Sequence, residues 1–268
     1  MSATSPPPLV LTFAASDPTG GAGVQADVLA IAALGCHPLS VITALTVQDT
    51  VGVSSVHPVA AQLVDAQARA LIADLPAHAI KLGVLATPQN VEAVAAILRE
   101  LRNVPVVVDP VLASGRGDAL AGDDTARALC ELIFPLCTVV TPNSVEARRL
   151  SGMDALEDCA RELLRMGSKY VLITGSHEDT GDVVVNTLYH SPSAQVVRRE
   201  KWPRLPASYH GSGCTLASAL ACGLARGMPV DQAAHEAQAF TWRSLKAGFL
   251  AGRGQHLPNR SSAGSHNA

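Results

Sequence analysis

The run "LVLTFAASDPTGGAGVQADVLAIAALG", residues 9–35, decides the fold. Its first part, "LVLTFAA" (9–15), is strand-like. Its last part, "AGVQADVLAIAALG" (22–35), is alanine-rich and amphipathic, and Gly35 closes it as a helix should be closed. Between them Gly21, Gly23 and Ala26 spell G-x-G-x-x-A, the letter pattern of a dinucleotide-binding loop. That fingerprint also needs an acidic residue at the end of the second strand, which would hold the ribose. The nearest candidate, Asp49, lies beyond that strand in "VQDTVG", and the "DPT" before the glycines is foreign to the motif. The letters alone equally fit a tight turn with a capped helix.

Outward from this unit the same rhythm repeats. "LSVITALTV" (39–47), "AIKLGVL" (79–85), "VPVVVDPV" (104–111), "CTVVTPN" (137–143) and "KYVLITG" (169–175) read as strands. Helix-periodic segments separate them, among them 60–75, 88–101 with a proline in its first turn, and helices reaching about residue 167. Strands that are apolar throughout predict a mostly parallel sheet with helices on both faces, a doubly wound α/β fold. "GDVVVNTLYH" and "AQVVRRE", joined by "SPS", predict a small antiparallel pair near residues 182–199. Two helices follow, at about 212–226 and 229–249. Residues 1–8 and 251–268 are expected to be flexible, leaving one domain over 9–250.

The 268 residues carry a formal charge of −3, so nothing electrostatic points to nucleic acid or an acidic membrane. With four Phe, three Tyr and two Trp, base-stacking platforms are not expected. Six cysteines form no C-x-x-C pair, and no histidine pair has zinc-finger spacing, so reduced and mostly buried thiols are expected. "MSATSPPPLVLTF" lacks a basic region and a long apolar run, so neither a signal peptide nor a membrane span is expected, and the location expected is the cytoplasm.

Two further constellations carry chemistry. In "YHGSGCTLASALACGLARG" (209–227), Gly211 and Gly213 let the backbone turn sharply at the start of an apolar helix. The amides of Ser212, Gly213 and Cys214 would then form an anion site, and the helix N-terminus would lower the Cys214 pKa towards thiolate. A buried structural cysteine is the plainer alternative, and Cys222, two turns on, is read as core. Elsewhere Asp109 ends a buried strand, and Asn143 and Glu146 sit i, i+3 at a helix start. Together they could hold Mg²⁺ through water. Helix capping, with Asn143 as cap and Glu146 as its reciprocal partner, explains the last two equally well.

"SDPTGGAGVQAD", "VITALTVQDT", "IKLGVLA", "VVDPV", "TPNSVEA" and "HGSGCTLASAL" occur in an order that closely resembles the hydroxymethylpyrimidine/phosphomethylpyrimidine kinases of the ribokinase-like superfamily, over about residues 9–250. The resemblance implies ATP-dependent phosphorylation of 4-amino-5-hydroxymethyl-2-methylpyrimidine to the monophosphate and then the diphosphate, for thiamine diphosphate. It implies Cys214 as the catalytic cysteine and Gly211, Ser212 and Gly213 as the anion hole for the transferred phosphoryl group. Gln48 matches the position that reads the pyrimidine, where an amide can both donate and accept. Gly21, Ala22 and Gly23 frame the acceptor, with Asp27 as an acidic residue near it. Asn143 and Glu146 match the Mg²⁺–phosphate motif, with Asp109 nearby. Thr174 and Gly115 stand where relatives often have lysine, and Arg116 is expected to replace the lost cation at the nucleotide. A homodimer is expected. A pyridoxal or pyridoxine kinase of the same superfamily is the nearest alternative, and a non-catalytic ligand-binding protein on this scaffold is another. The joint presence of Cys214, Asp109 and Glu146 argues against the latter.

Overall fold

The structure is a computed structural model that describes residues 6–112, 120–191 and 193–263. Its organising feature is the strand order β3-β2-β1-β4-β5-β6-β7-β8-β9 in a single sheet. Strands β1 (Leu9–Ser16), β2 (His37–Gln48), β4 (Ala79–Leu82), β5 (Val106–Val108), β6 (Val139–Val140) and β7 (Tyr170–Thr174) are mutually parallel where they pair. The edge strands β3 (Val53–Pro58), β8 (Val183–His190) and β9 (Gln195–Pro203) run antiparallel to their neighbours. The chain leaves β1 towards β2 on one side and returns to β4 on the other. This reversal opens a crevice at the carboxyl ends of β1 and β4, the place where such sheets receive ligands.

Alternation along the strands builds two cores. Leu11, Phe13, Val106, Val108 and Val140 pack on one face with helices α2 (Ala61–Ile72), α3 (Pro88–Glu100), α4 (Asp123–Ala128), α5 (Ser144–Ser151) and α6 (Leu156–Arg165). Val10, Val107, Val139 and Leu172 face the other way, against α1 (Gly23–Ala33), α7 (Ser212–Ala225) and α8 (Val230–Lys246). Burial on both faces is why these strands read as unbroken apolar runs.

The doubly wound sheet and the antiparallel pair near 182–199 agree with the sequence reading. Two features differ from it. β3 was not expected: "VSSVHP" is an edge strand with a half-exposed pattern and a terminal proline, so it lacks the apolar run that marks the central strands. The tail expected from residue 251 onward is instead packed as far as Arg260. Leu257 pairs with Phe249, Gln255 N donates to the Thr50 carbonyl, and Arg260, which opens the short helix α9 (Arg260–Ala263), is buried. Polar composition hid this, because the segment is held by hydrogen bonds rather than by an apolar face.

Candidate functional site

The acceptor-side loop is shaped by one buried carboxylate. Asp17, directly after β1, accepts from Thr19 N at 2.8 Å, Thr19 Oγ1 at 2.9 Å and Ala22 N at 2.7 Å, and pairs with His210 Nε2 at 2.9 Å. Burial alone would raise its pKa, but the His210 contact and the Thr19 and Ala22 amides outweigh that and hold it below the usual range. This is the use of the "DPT" triplet. Gly23 enters α1 at φ +61°, and a Cβ there would lie 2.3 Å from the Ala15 carbonyl oxygen, so only glycine fits.

The second loop meets the first. Gly211 has φ +73°, and a Cβ on it would lie 1.9 Å from the Gly21 carbonyl oxygen. From Gly211 the chain enters α7, whose first-turn amides, at residues 212–214, have no earlier helical carbonyl to bind. The Cys214 thiol lies near the Gly23 amide and the Asp109 carboxylate. Burial pushes the Cys214 thiol up to about 12, against the pull of the Lys81 ammonium. The expected thiolate is therefore corrected: in the ligand-free protein the helix N-terminus does not offset desolvation, and Cys214 is protonated.

Beneath both loops lies an ion pair that sequence reading missed. Lys81 Nζ donates to both Asp27 oxygens at 2.9 Å, and neither side chain is exposed. Thr12 Oγ1 at 2.6 Å and Ser218 Oγ at 2.8 Å complete the Asp27 shell, so one carboxylate ties β1, α1, β4 and α7 together. Burial would lower the Lys81 pKa, but Asp27, Cys214 and Asp109 raise it, and the ammonium stays charged. The available signal was a lysine inside the otherwise apolar strand "AIKL", since a buried charge needs a buried partner.

A cleft of about 310 Å³ runs over these groups. Of the residues singled out from sequence, Gln48, Ala22, Gly23, Asp109, Asn143, Glu146, Thr174, Gly211, Ser212, Gly213 and Cys214 line it. Asp27 does not, because its oxygens are consumed by four hydrogen bonds from three side chains in the core. Gly21 does not either; it is packed under His210 and Leu257. Arg116 and Gly115 lie outside the described residues. The Gln48 amide donates to Thr46 Oγ1 at 2.8 Å, which leaves its carbonyl oxygen for a ligand. Lys81, Arg149 and His177 also line the cleft.

Asn143 and Glu146 form the capping box considered above: Asn143 Oδ1 accepts from Val145 N and Glu146 N at 2.9 Å, and Asn143 N donates to Glu146 Oε2 at 3.0 Å. Capping and ligand binding are compatible here, because both side chains still line the cleft. Burial, then the charge of Asp109, pushes Glu146 up to about 8. Burial pushes Asp109 up to about 6, with Lys81 opposing. Asp109 Oδ2 is buried with no hydrogen-bond partner. Two carboxyl groups raised in this way, one with an orphaned oxygen, are a donor set that a hard divalent cation fits.

A second cavity of about 500 Å³ adjoins the first and shares Thr174, Ser176, His177, Tyr209, Ser212, Gly213 and Leu216 with it. Its far walls include Val184, Trp202, Trp242 and Leu245. The two chambers thus meet at the N-terminus of α7. Among the described residues no helix is long and apolar enough to cross a membrane.

Comparison with known proteins agrees with this geometry. The chain is 40% identical over 263 residues to the hydroxymethylpyrimidine/phosphomethylpyrimidine kinase of Streptomyces coelicolor, covering 95% of this chain and 96% of that one. It superposes on the pyridoxal kinase of Staphylococcus aureus in complex with AMP-PCP and pyridoxal with a TM-score of 0.86 at 28% identity, over 97% and 96% of the two chains. The phosphomethylpyrimidine kinase of Clostridium difficile gives a TM-score of 0.74 at 31% identity, over 87% and 97%. The family described as phosphomethylpyrimidine kinase matches residues 17–259, from the carboxylate that shapes the first loop almost to the packed end of the described chain, and the protein belongs to that family.

Proposed function

We propose that the protein transfers the γ-phosphoryl group of ATP to the hydroxymethyl group of 4-amino-5-hydroxymethyl-2-methylpyrimidine, then phosphorylates the monophosphate to the diphosphate used in thiamine diphosphate synthesis. The observation that carries this reading is the meeting of two chambers at the α7 N-terminus. Gln48 stands in one chamber and suits the edge of an aminopyrimidine. Trp202 and Trp242 stand in the other and suit a purine. The amides of residues 212–214 lie between them, where charge develops on the transferred group.

Glu146 and the unpartnered Oδ2 of Asp109 would hold Mg²⁺ through water, leaving the other Asp109 oxygen to the Cys214 thiol. A bound Mg²⁺ neutralises phosphate charge and orients the leaving group. Arg149, whose pair with Asp123 at 2.7 Å is exposed and therefore weak, lines the cleft as a cation for the ATP phosphates, and Arg116 is expected from sequence to add another. Because Cys214 is protonated, its part in the first step is a relay: it takes the alcohol proton as its own passes to Asp109 beside it.

The likeness to pyridoxal kinase keeps a second reading, since pyridoxal also offers a hydroxymethyl group on a heteroaromatic ring. ADP release with the pyrimidine, its monophosphate and pyridoxal, with products identified by mass, separates the two. Turnover of pyridoxal alone would overturn the first.

A further inference from the structure

We propose that Arg260 is a positioning residue for phosphoryl transfer, tying the acceptor-side glycine loop to the anion-binding loop and setting a fixed positive charge behind the latter. The inference rests on the function proposed above. Arg260 is 3% exposed. Its Nε donates to Thr215 Oγ1 at 2.9 Å, Nη1 to the Gly20 carbonyl at 3.3 Å, and Nη2 to the carbonyls of Gly21 at 2.5 Å and Gly211 at 3.5 Å. Thr215 Oγ1 itself donates to the Gly211 carbonyl at 2.8 Å. One planar fork therefore grips both glycine loops and the first turn of α7 from behind, while the amides of that turn look towards the cleft.

The choice of arginine is costly for stability alone. A buried cation loses its hydration, and burial draws the Arg260 pKa down. Among the described residues, no carboxylate lies within ion-pair distance of it; Asp27 and Asp17 favour its charge only from further away. An apolar side chain would fill the space at lower cost. A guanidinium does what an apolar group cannot. It fixes three backbone carbonyls at once, and its field reaches the phosphoryl site through a medium of low dielectric constant, where it is weakly screened. Gly211 approaches the Gly21 carbonyl so closely that a Cβ would not fit, so the two loops are packed directly against each other where the guanidinium ties them.

The test uses Arg260→Gln, which removes the charge, Arg260→Lys, which keeps charge but loses the fork, and Arg260→Ala, which leaves a cavity. Amide hydrogen exchange at residues 20–23 and 211–214 is measured in the ligand-free protein, together with kcat, both KM values and thermal melting. Arg260→Gln should speed exchange in both loops and lower kcat about 10²-fold, the effect of misplacing a reacting group by an ångström, with KM values little changed. Arg260→Lys should regain part of kcat but not the exchange protection. Guanidinium chloride should restore kcat to Arg260→Ala, whereas sodium chloride at equal concentration should not. Wild-type kcat in Arg260→Gln, or a loss no larger than the unfolded fraction without loop-confined exchange, would overturn the proposal. If Arg260→Ala does not fold, the other two variants decide. The exchange measurement needs no acceptor, so it still reads the tie if the pyrimidine is not the substrate.

Discussion

At the scale of single residues, Cys214 separates the two phosphorylations. The first nucleophile is an alcohol and must lose a proton. The second is a phosphate oxygen with a pKa near 6, already ionised at neutral pH. Cys214→Ala should depress the first step by roughly 10²–10⁴ and the second clearly less, since the α7 amides remain. Single-turnover kinetics with each acceptor under saturating ATP and Mg²⁺ checks this; equal losses would make the cysteine positional rather than a proton relay. Gln48 is tested by a different parameter. Its amide is oriented by Thr46, so Gln48→Ala should raise the KM for the pyrimidine far more than that for ATP, because the buried ring edge loses its partner. An unchanged pyrimidine KM would remove Gln48 from the acceptor chamber.

At the scale of elements, the start of α5 serves structure and ligand with one carboxylate, and pH distinguishes the two. Glu146 has its pKa raised to about 8 from an ordinary 4.5, so the folded protein holds the proton more tightly than the unfolded chain does. The resulting stability is present at low pH and is lost as pH rises through about 8. Glu146→Gln keeps the capping geometry and removes the charge. In chelator, its melting temperature should exceed that of the wild type at pH 9, with the gap narrowing steadily below pH 8 and closing near pH 4.5, while Mg²⁺-ATP should stabilise only the wild type. A gap that does not depend on pH would count against a strained carboxylate. The same element shows what a sequence can carry. The i, i+3 spacing of Asn143 and Glu146 made the helix start legible, as apolar runs made the central strands legible. Asp17, Lys81, His210 and Arg260 were not legible as site residues, because each is defined by a partner distant in the chain. Asp27 was placed near the acceptor because its motif surrounds the cleft, whereas its side chain turns into the core.

At the scale of the whole molecule, β2 has two faces with different uses. Thr46 and Gln48 turn to the cleft, while Leu45 and Val47 are 52% and 54% exposed on the opposite side. The expected homodimer would cover that apolar face, and Leu45→Glu with Val47→Glu should convert it to monomer in sedimentation equilibrium. A wild type that is monomeric at all concentrations would remove the expectation. The closure of the site on Arg260 has a consequence in time. Gly20 and Arg260 are 240 residues apart, so at about 5–20 residues per second the ribosome makes them roughly 10–50 s apart. For that interval the nascent chain can hold its early strands but not the joined glycine loops. If Arg260 positions the two loops as proposed, their working alignment is set only after residue 260 has been made, long after the loop that first receives the acceptor.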